Sequence, residues 1–273
     1  FKLFSIILIP MFLIILQSDS GSAIVFLGIV FAFLREGLDM KFLYFSVLLS
    51  IIFVFTLLLK PLLLSLILIL IFTTLYGYLI RKFPKINKLP FLIILIISII
   101  FSFSVDFIFN TVFEQRHRDR FNIILGLETD SKGIGYNISQ SKIAIGSGGF
   151  DGKGYLNGTQ TKGGFVPEQH TDYIFSTVGE EWGFIGSSCL IIFYTFLMLR
   201  ILSRAEKHTQ QFPRIFSYSF VGMLFIHFLI NIGMTLGLFP TVGIPLPFIS
   251  YGGTNLLAFS LMFFIYLNFD ANR

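Results

Sequence analysis

A short polar run, residues 167–172, holds the side chains best suited to chemistry. It contains Glu168, His170 and Asp172, and it ends where the chain turns apolar again. A carboxylate there could act as a general base at a membrane surface, with Glu168 or His170 tuning its pKa. Alternatively, Asp172 could cap the following helix, because Asp accepts hydrogen bonds from the free N–H groups at a helix start.

The same three side chains could also hold a divalent cation such as Mg²⁺ or Mn²⁺. Their spacing matches no known ligand pattern, so the sequence assigns no metal ligands and no certain cofactor. The chain has one cysteine, Cys189, which excludes an internal disulfide and a cysteine-based metal site.

Basic residues lie along the polar segment 114–172 that this run closes. Arginine matches phosphate oxygens in two-point contacts, so the cluster at its start could recognise a phosphate-bearing lipid. The alternative is an interfacial anchor against lipid headgroups. The candidate substrate-binding residues are Arg116, Arg118, Arg120, Lys142 and Lys153, together with Glu168 and His170.

Two further pairs of polar residues lie next to or within apolar segments. Placing the Glu180 and Glu181 carboxylates near a bilayer costs free energy unless they form ion pairs or contact water. We expect either a charged helix face in water or a salt bridge to an arginine of the loop. His227 and Asn231 are four residues apart on a predicted helix, so they share a face and suit interhelical hydrogen bonds.

The elements that must position these residues are membrane helices. The chain is 55% hydrophobic and 13% charged, whereas soluble domains carry about 25% charged residues. Its apolar runs predict an all-α, polytopic transmembrane bundle with about eight spans. The formal charge of +5 then reflects membrane topology, and no nucleic acid is expected. The predicted spans are 3–16, 22–34, 42–59, 61–80, 90–113, 184–202, 215–236 and 255–269.

Lysine and arginine in the short loops predict the orientation of these spans. One cytoplasmic cluster is Arg81, Lys82, Lys85 and Lys88, and the other is Arg200, Arg204, Lys207 and Arg214. Arg35, Lys41 and Arg273 fall on the same side. Alternation then makes residues 17–21, 114–172 and 237–253 extracytoplasmic.

Two of these segments are rich in glycine or proline. Residues 133–164 contain apolar side chains among the glycines, which predicts an ordered loop and not a flexible linker. Residues 237–253 combine prolines with paired glycines, which predicts a non-helical, re-entrant segment. Backbone of this kind at membrane depth must be buried in protein or face water.

Three long motifs carry a resemblance to one known family. The run NIGMTLGLFPTVGIPLPFISYGGTNLL, which begins at Asn231, resembles the C-terminal signature of the SEDS family of peptidoglycan glycosyltransferases. The loop run GIGYNISQSKIAIGSGG…PEQHTDYIFSTVGEEWGF is similar nearly position by position, and residues 17–23 resemble its Q-P-D-x-G-T-A motif. The details resemble the elongation branch, RodA, more than the division branch, FtsW. The family's N-terminal region is missing, and residues 42–80 look like an inserted pair of spans.

The resemblance implies a single SEDS-type membrane domain over 1–273, its C-terminal portion, with 114–172 as the large extracytoplasmic loop. It implies a multi-pass protein of the bacterial cytoplasmic membrane that polymerises lipid II by inverting attack of a sugar hydroxyl on lipid-linked MurNAc. The essential Asp of the family falls on Asp172. The implied partners are lipid II, a class B penicillin-binding protein, the elongation machinery and membrane lipids.

Three other functions stay open at this point. A lipid II flippase would also need several spans and broken helices, but it needs polar groups along its whole path. An FtsW-type polymerase of division shares most of the motifs. A non-catalytic scaffold would leave the charged and glycine-rich loop unexplained.

Overall fold

A computed structural model describes residues 2–17, 19–82, 89–127 and 133–272. Throughout these residues the regular structure is helical, which confirms the predicted all-α class. Within these described ranges, six helices are long and apolar enough to cross a membrane, so the chain is a multi-pass membrane protein. They are α4 (Met40–Leu58), α5 (Pro61–Lys82), α6 (Leu89–Thr111), α10 (Ile174–Ala205), α11 (Gln211–Thr235) and α12 (Gly253–Ala271).

The first two predicted spans are shorter apolar helices. The first is α1 (Lys2–Leu16), and the second is divided into α2 (Ser20–Val25), a 3₁₀ helix (Phe26–Ile29) and α3 (Val30–Arg35). The Asp19 carboxylate caps α2 by accepting a hydrogen bond of 3.0 Å from the Ser22 backbone N–H. A polar cap of this kind explains why the chain breaks between the two predicted spans.

The described helices divide into two compact units, residues 1–38 with 126–273, and residues 39–125. The smaller unit contains α4, α5, α6 and α7 (Gln115–Ile124). Ile52, Leu64 and Leu68 form its buried core, and Thr56 donates a 3.0 Å hydrogen bond to Ser102 across α4 and α6. A helix pair joined by an internal hydroxyl bond is a common way to pack spans in lipid.

In the larger unit, the backbone of α11 crosses the backbone of the 3₁₀ helix at close range. A Cβ added to Gly222 of α11 would lie 1.9 Å from the Gly28 carbonyl oxygen of the 3₁₀ helix. Only glycine lets two membrane segments approach this closely. Replacing Gly28 or Gly222 with alanine is therefore expected to push the 3₁₀ helix away from α11.

Three ion pairs join helix ends at one end of the larger unit. Arg35 binds Glu206 at 2.5 Å, Arg214 binds Glu36 at 2.6 Å, and Arg204 binds Asp270 at 2.9 Å. Hydrogen bonds from Arg35 and Tyr218 lower the pKa of Glu206 to about 2. The ends of α3, α10 and α12 therefore meet the start of α11, as the sequence predicted for Arg35 and the 200–214 cluster. Lys85, Lys88 and Arg273 lie outside the described residues.

The glycine-rich loop contains two helices, α8 (Ile134–Gly148) and α9 (Thr159–Lys162). Ile138, Ser141 and Ala144 are buried at helical spacing, and Ser141 Oγ donates to the Thr235 carbonyl of α11 at 2.9 Å. Helix α8 also packs against α10, where Ile145 and Gly148 lie close to Gly179. The predicted order is confirmed, whereas the helix itself was not predicted. Glycine and serine lower helix propensity, so packing against α10 must supply the stability that the local sequence lacks.

Candidate active site

Asp172 lies directly before α10, but it does not cap that helix. The cap residue is Tyr173, and no side chain makes a capping hydrogen bond there. The interpretation of Asp172 as an N-cap is therefore wrong. Its carboxylate is half-buried and faces Gly243, where an added Cβ would lie 3.4 Å from Asp172 Oδ2.

Three consecutive backbone carbonyls hold Asp172 in place. The His170 carbonyl accepts from the Tyr251 N–H at 2.8 Å, and the Thr171 carbonyl accepts from Ser250 Oγ at 2.7 Å. The Asp172 carbonyl accepts from Asn231 Nδ2 at 2.9 Å. The end of the loop is thus joined to α11 and to the re-entrant segment.

Helix α11 also holds the re-entrant segment, which lies between it and α12. Asn231 Nδ2 makes a second hydrogen bond, 2.8 Å long, to the Ile244 carbonyl, and His227 Nδ1 lies 2.9 Å from the Pro245 carbonyl. Tyr194 of α10 donates to the Pro247 carbonyl. His227 and Asn231 share one face, as predicted. Their partners are backbone carbonyls of Asp172 and of the non-helical segment, and not side chains of another helix, because unpaired backbone in a membrane must be satisfied by protein.

The surroundings of Asp172 favour its protonated form. Burial raises the pKa of the Asp172 carboxyl above its ordinary value, and the nearby Glu168 carboxylate raises it further. Glu168 is exposed and accepts a 2.9 Å hydrogen bond from Thr171 Oγ1. A carboxyl with a raised pKa binds a proton more readily than an ordinary surface aspartate, which suits a general base.

The exposed His170 ring lies beside Gln169, with 3.3 Å between His170 Nε2 and Gln169 Nε2. Within the described part of the chain, no three His, Cys, Asp or Glu side chains group to hold a metal ion. A divalent cation near Asp172 stays a prediction from the sequence.

The predicted phosphate-binding residues are spread over both units. Arg118 and Arg120 belong to α7 in the smaller unit, where Arg118 Nη1 donates to the Asn110 carbonyl at 3.1 Å. The Arg116 side chain lies outside the described residues. Lys142 is in the larger unit with Asp172, and its exposed side chain reaches Gly237, where an added Cβ would lie 2.5 Å from Nζ.

Lys153 binds an internal carboxylate. Its Nζ lies 2.8 Å from Glu180 Oε1, and the Glu180 side chain is 0% exposed. The backbone N–H groups of Gln160 and Thr161 and the Thr161 hydroxyl also donate to Glu180, at 2.9, 2.8 and 2.9 Å. The expectation that the Glu180 carboxylate faces water was wrong. A salt bridge to the loop is present, but its cation is lysine and not the arginine that the sequence suggested.

Sequence reasoning missed Glu180 as the residue that organises the loop. It joins α10 to Lys153 and to the start of α9, so the loop folds around a buried charge. The signal was the cost of two adjacent carboxylates near a bilayer, which showed that a partner was needed but not which residue it was.

This multi-pass membrane protein matches a known protein family. The family model FTSW_RODA_SPOVE, described as cell cycle protein, matches residues 64–273. The chain belongs to this family, which confirms the resemblance seen in the sequence motifs.

Curated relatives and one solved structure agree with this assignment. The chain is 43% identical over 156 residues to the peptidoglycan glycosyltransferase MrdB of Escherichia coli K12, covering 57% of this chain and 42% of that one. It is 43% identical over 137 residues to RodA of Treponema pallidum, covering 50% and 32%. The chain therefore spans less than half the length of these relatives.

A solved chain from a peptidoglycan synthase complex that coordinates polymerization and crosslinking shares the fold. It has a TM-score of 0.52 and 20% identity, with 100% of this chain and 97% of that chain covered.

Proposed function

We propose that the chain is the membrane-embedded part of a peptidoglycan glycosyltransferase of the elongation type, which polymerises lipid II into glycan strands. The observation that carries the proposal is the half-buried Asp172, held by three consecutive carbonyls against the re-entrant segment. Relatives named peptidoglycan glycosyltransferase MrdB and RodA support it.

In the proposed reaction, a hydroxyl oxygen of the acceptor sugar attacks the anomeric carbon of the donor MurNAc. The new C–O bond forms as the bond to the undecaprenyl pyrophosphate breaks, and the α-linked donor becomes a β-linked product. The Asp172 carboxylate accepts the hydroxyl proton. Positive charge near the pyrophosphate stabilises the charge that develops on it, and Lys142, in the same unit as Asp172, is the candidate, whereas Arg116, Arg118 and Arg120 stay predictions from the sequence.

The proposed setting is the bacterial cytoplasmic membrane, with Asp172 on its outer face. Lysine and arginine at the opposite end of α10 support this orientation. The proposed partner is a class B penicillin-binding protein that crosslinks the strands, supported by the likeness to a synthase complex that couples polymerization to crosslinking.

The function is tested with labelled lipid II, full-length purified protein and the penicillin-binding partner in proteoliposomes. We expect glycan strands that lysozyme digests. Movement of labelled lipid II between leaflets without any polymer would contradict the polymerase and support a flippase. Absence of both activities, with normal binding of the partner, would support a scaffold.

Replacing Asn231 with leucine is expected to lower the turnover number about tenfold or more. Leucine removes both donors that fix the Asp172 and Ile244 carbonyls, so one part-buried and one buried acceptor lose their partner. His227→Phe is the matched control, because the hydrogen bond of His227 goes to the Pro245 carbonyl of the re-entrant segment and not to Asp172. Steady-state kinetics should show a fall in kcat with a small change in KM for lipid II. Equal losses in both variants would contradict a positioning role specific to Asn231.

Replacing Glu168 with glutamine is expected to shift the pH dependence of polymerisation. A base must be deprotonated, so the rate should fall as the pH falls through the raised pKa of Asp172. Glu168→Gln removes the repulsion that contributes to this shift, so the acidic limb should move to lower pH. The measurement is the polymerisation rate across a pH series, with Glu114→Gln as the control. An unchanged acidic limb would show that Glu168 does not act on the base.

A further inference from the structure

The loop segment 149–156, here called the strap, completes the backbone of α10 where that helix breaks. Gly183 has φ 61° and ψ −155° inside α10, so the helical hydrogen bonds are interrupted there. The strap supplies both acceptors and donors around the break. Phe184 N–H donates to Gly149 O at 3.0 Å, Ile185 N–H to Phe150 O at 3.2 Å, Lys153 N–H to Glu180 O at 3.0 Å, and Gly154 N–H to Glu181 O at 2.9 Å.

The backbones of the strap and of α10 are so close that no Cβ atom fits between them at Gly152 or Gly183. A Cβ added to Gly152 would lie 2.2 Å from the Glu181 carbonyl oxygen, and one added to Gly183 would lie 2.4 Å from the Gly152 nitrogen. The strap therefore shares the depth of residues 180–185 in the membrane and cannot move independently of them.

The length of α10 places this break at the edge of the hydrocarbon. The helix has 32 residues, whereas about 20 residues cross the hydrocarbon core. Counting about 20 residues back from Arg204, whose charge marks the other membrane boundary, ends at Phe184. This count predicts that the strap lies level with the boundary between lipid headgroups and acyl chains.

Large apolar side chains from the strap and from α10 are exposed together at this level. The Phe150 and Phe184 rings stack with centroids 5.7 Å apart, and the Tyr155 and Trp182 rings are 6.3 Å apart. Each pair joins one strap residue to one helix residue. Their exposed fractions are 64% for Phe150, 63% for Phe184, 68% for Tyr155 and 53% for Trp182.

Leu156 is exposed in the same segment despite an unfavourable backbone. It has φ 58°, a left-handed conformation that costs a branched side chain energy, and its side chain is 60% exposed. Ile192 and Phe196, further along the apolar helix α10, are exposed as well, as expected of side chains on a membrane-spanning helix that face lipid. The exposed side chains of the strap lie at one end of the apolar part of the same helix, which favours lipid as their surroundings too.

We propose that the strap and Trp182 bind the bilayer interface and anchor the large loop to the membrane at the end of α10 remote from Arg204. Tyrosine and tryptophan favour this layer because their rings are amphipathic. The Lys153 ammonium is turned inward to Glu180, so the strap's apolar side chains are what face the lipid. Asp151 is exposed, and its carboxylate keeps the strap at headgroup depth, since a charge deeper in the hydrocarbon is costly.

Trp182 reports directly on this contact, because it is the single tryptophan among the 273 residues. The unmodified protein is reconstituted in phosphatidylcholine vesicles whose acyl chains carry bromine near the headgroup or near the chain end. We expect stronger quenching of Trp182 fluorescence by the shallow bromines and weak quenching by aqueous iodide. Trp182→Phe gives the background signal.

Two relocated tryptophans in the Trp182→Phe background calibrate the depth. Tyr155→Trp should match the shallow profile of Trp182, because both residues belong to the same patch. Ile192→Trp lies eight residues beyond Phe184, about 12 Å deeper along the helix, so deep bromines should quench it more. Strong iodide quenching of Trp182 without bromine quenching would place the strap in water and overturn the proposal. Protection from both quenchers would overturn it too, because protein and not lipid would then cover the patch.

Discussion

Asp172→Asn is expected to lower the polymerisation rate at least about 100-fold, the range seen when a general base is lost. Asparagine keeps the shape of the side chain and the backbone bond to Asn231, but it cannot accept the hydroxyl proton. Because burial already disfavours the ionised carboxyl, a neutral amide should not destabilise the fold. The variant should therefore be produced in normal amounts and should still bind the penicillin-binding partner.

The measurement is glycan synthesis from labelled lipid II at equal levels of protein and partner. Glu114→Gln is the matched control, because it removes one exposed carboxylate at the start of the same polar segment, remote in sequence from Asp172. A rate near that of the unmodified protein in Asp172→Asn would disprove the role of Asp172 as the base.

Lys153→Met is expected to destabilise the loop by roughly 3 kcal/mol, the low end for breaking a buried ion pair. The low end applies because the Lys153 side chain is 26% exposed, although Glu180 is fully buried. Glu180 holds the start of α9 through Gln160 and Thr161, so loss of its cation should loosen that helix. Trypsin cleavage after the exposed Lys162 should become about 100-fold faster, since each 1.4 kcal/mol is a factor of ten.

A double variant separates this structural role from phosphate binding by Lys153. Lys153→Met with Glu180→Gln removes both charges, so it should recover most of the protection from trypsin and part of the polymerisation rate. If Lys153 instead binds the pyrophosphate, the single variant would resist trypsin normally, and the double variant would stay inactive.

The sequence was sufficient to predict the long helices, and it also singled out Asp172, whose catalytic role stays a prediction. Apolar runs of about 20 residues have few alternatives in a membrane, so the positions of α4, α5, α6, α11 and α12 followed from them. The polar run ending at Asp172 and the glycine–proline segment were also visible, because both depart from the apolar pattern around them.

Long-range pairing could not be predicted in the same way. Nothing local shows that Lys153 turns inward to Glu180, or that Ser250 and Asn231 both bond to the 170–172 backbone. Helix α8 was missed for a related reason, because its stability comes from α10, which follows it in the chain after a long gap. Pairings of this kind depend on which segments meet in space, and composition and spacing carry little of that information.

The three carbonyl bonds at residues 170–172 have an entropic consequence for the proposed base. Ordering the backbone of one residue costs about 1–2 kcal/mol, and in this protein folding itself orders the backbone around Asp172. Binding of an acceptor sugar then does not have to order the backbone that carries the carboxylate, so more of the binding energy remains for alignment of the two sugars. Because the His170, Thr171 and Asp172 carbonyls are bonded to Tyr251, Ser250 and Asn231, a movement of the re-entrant segment is expected to carry the Asp172 backbone with it.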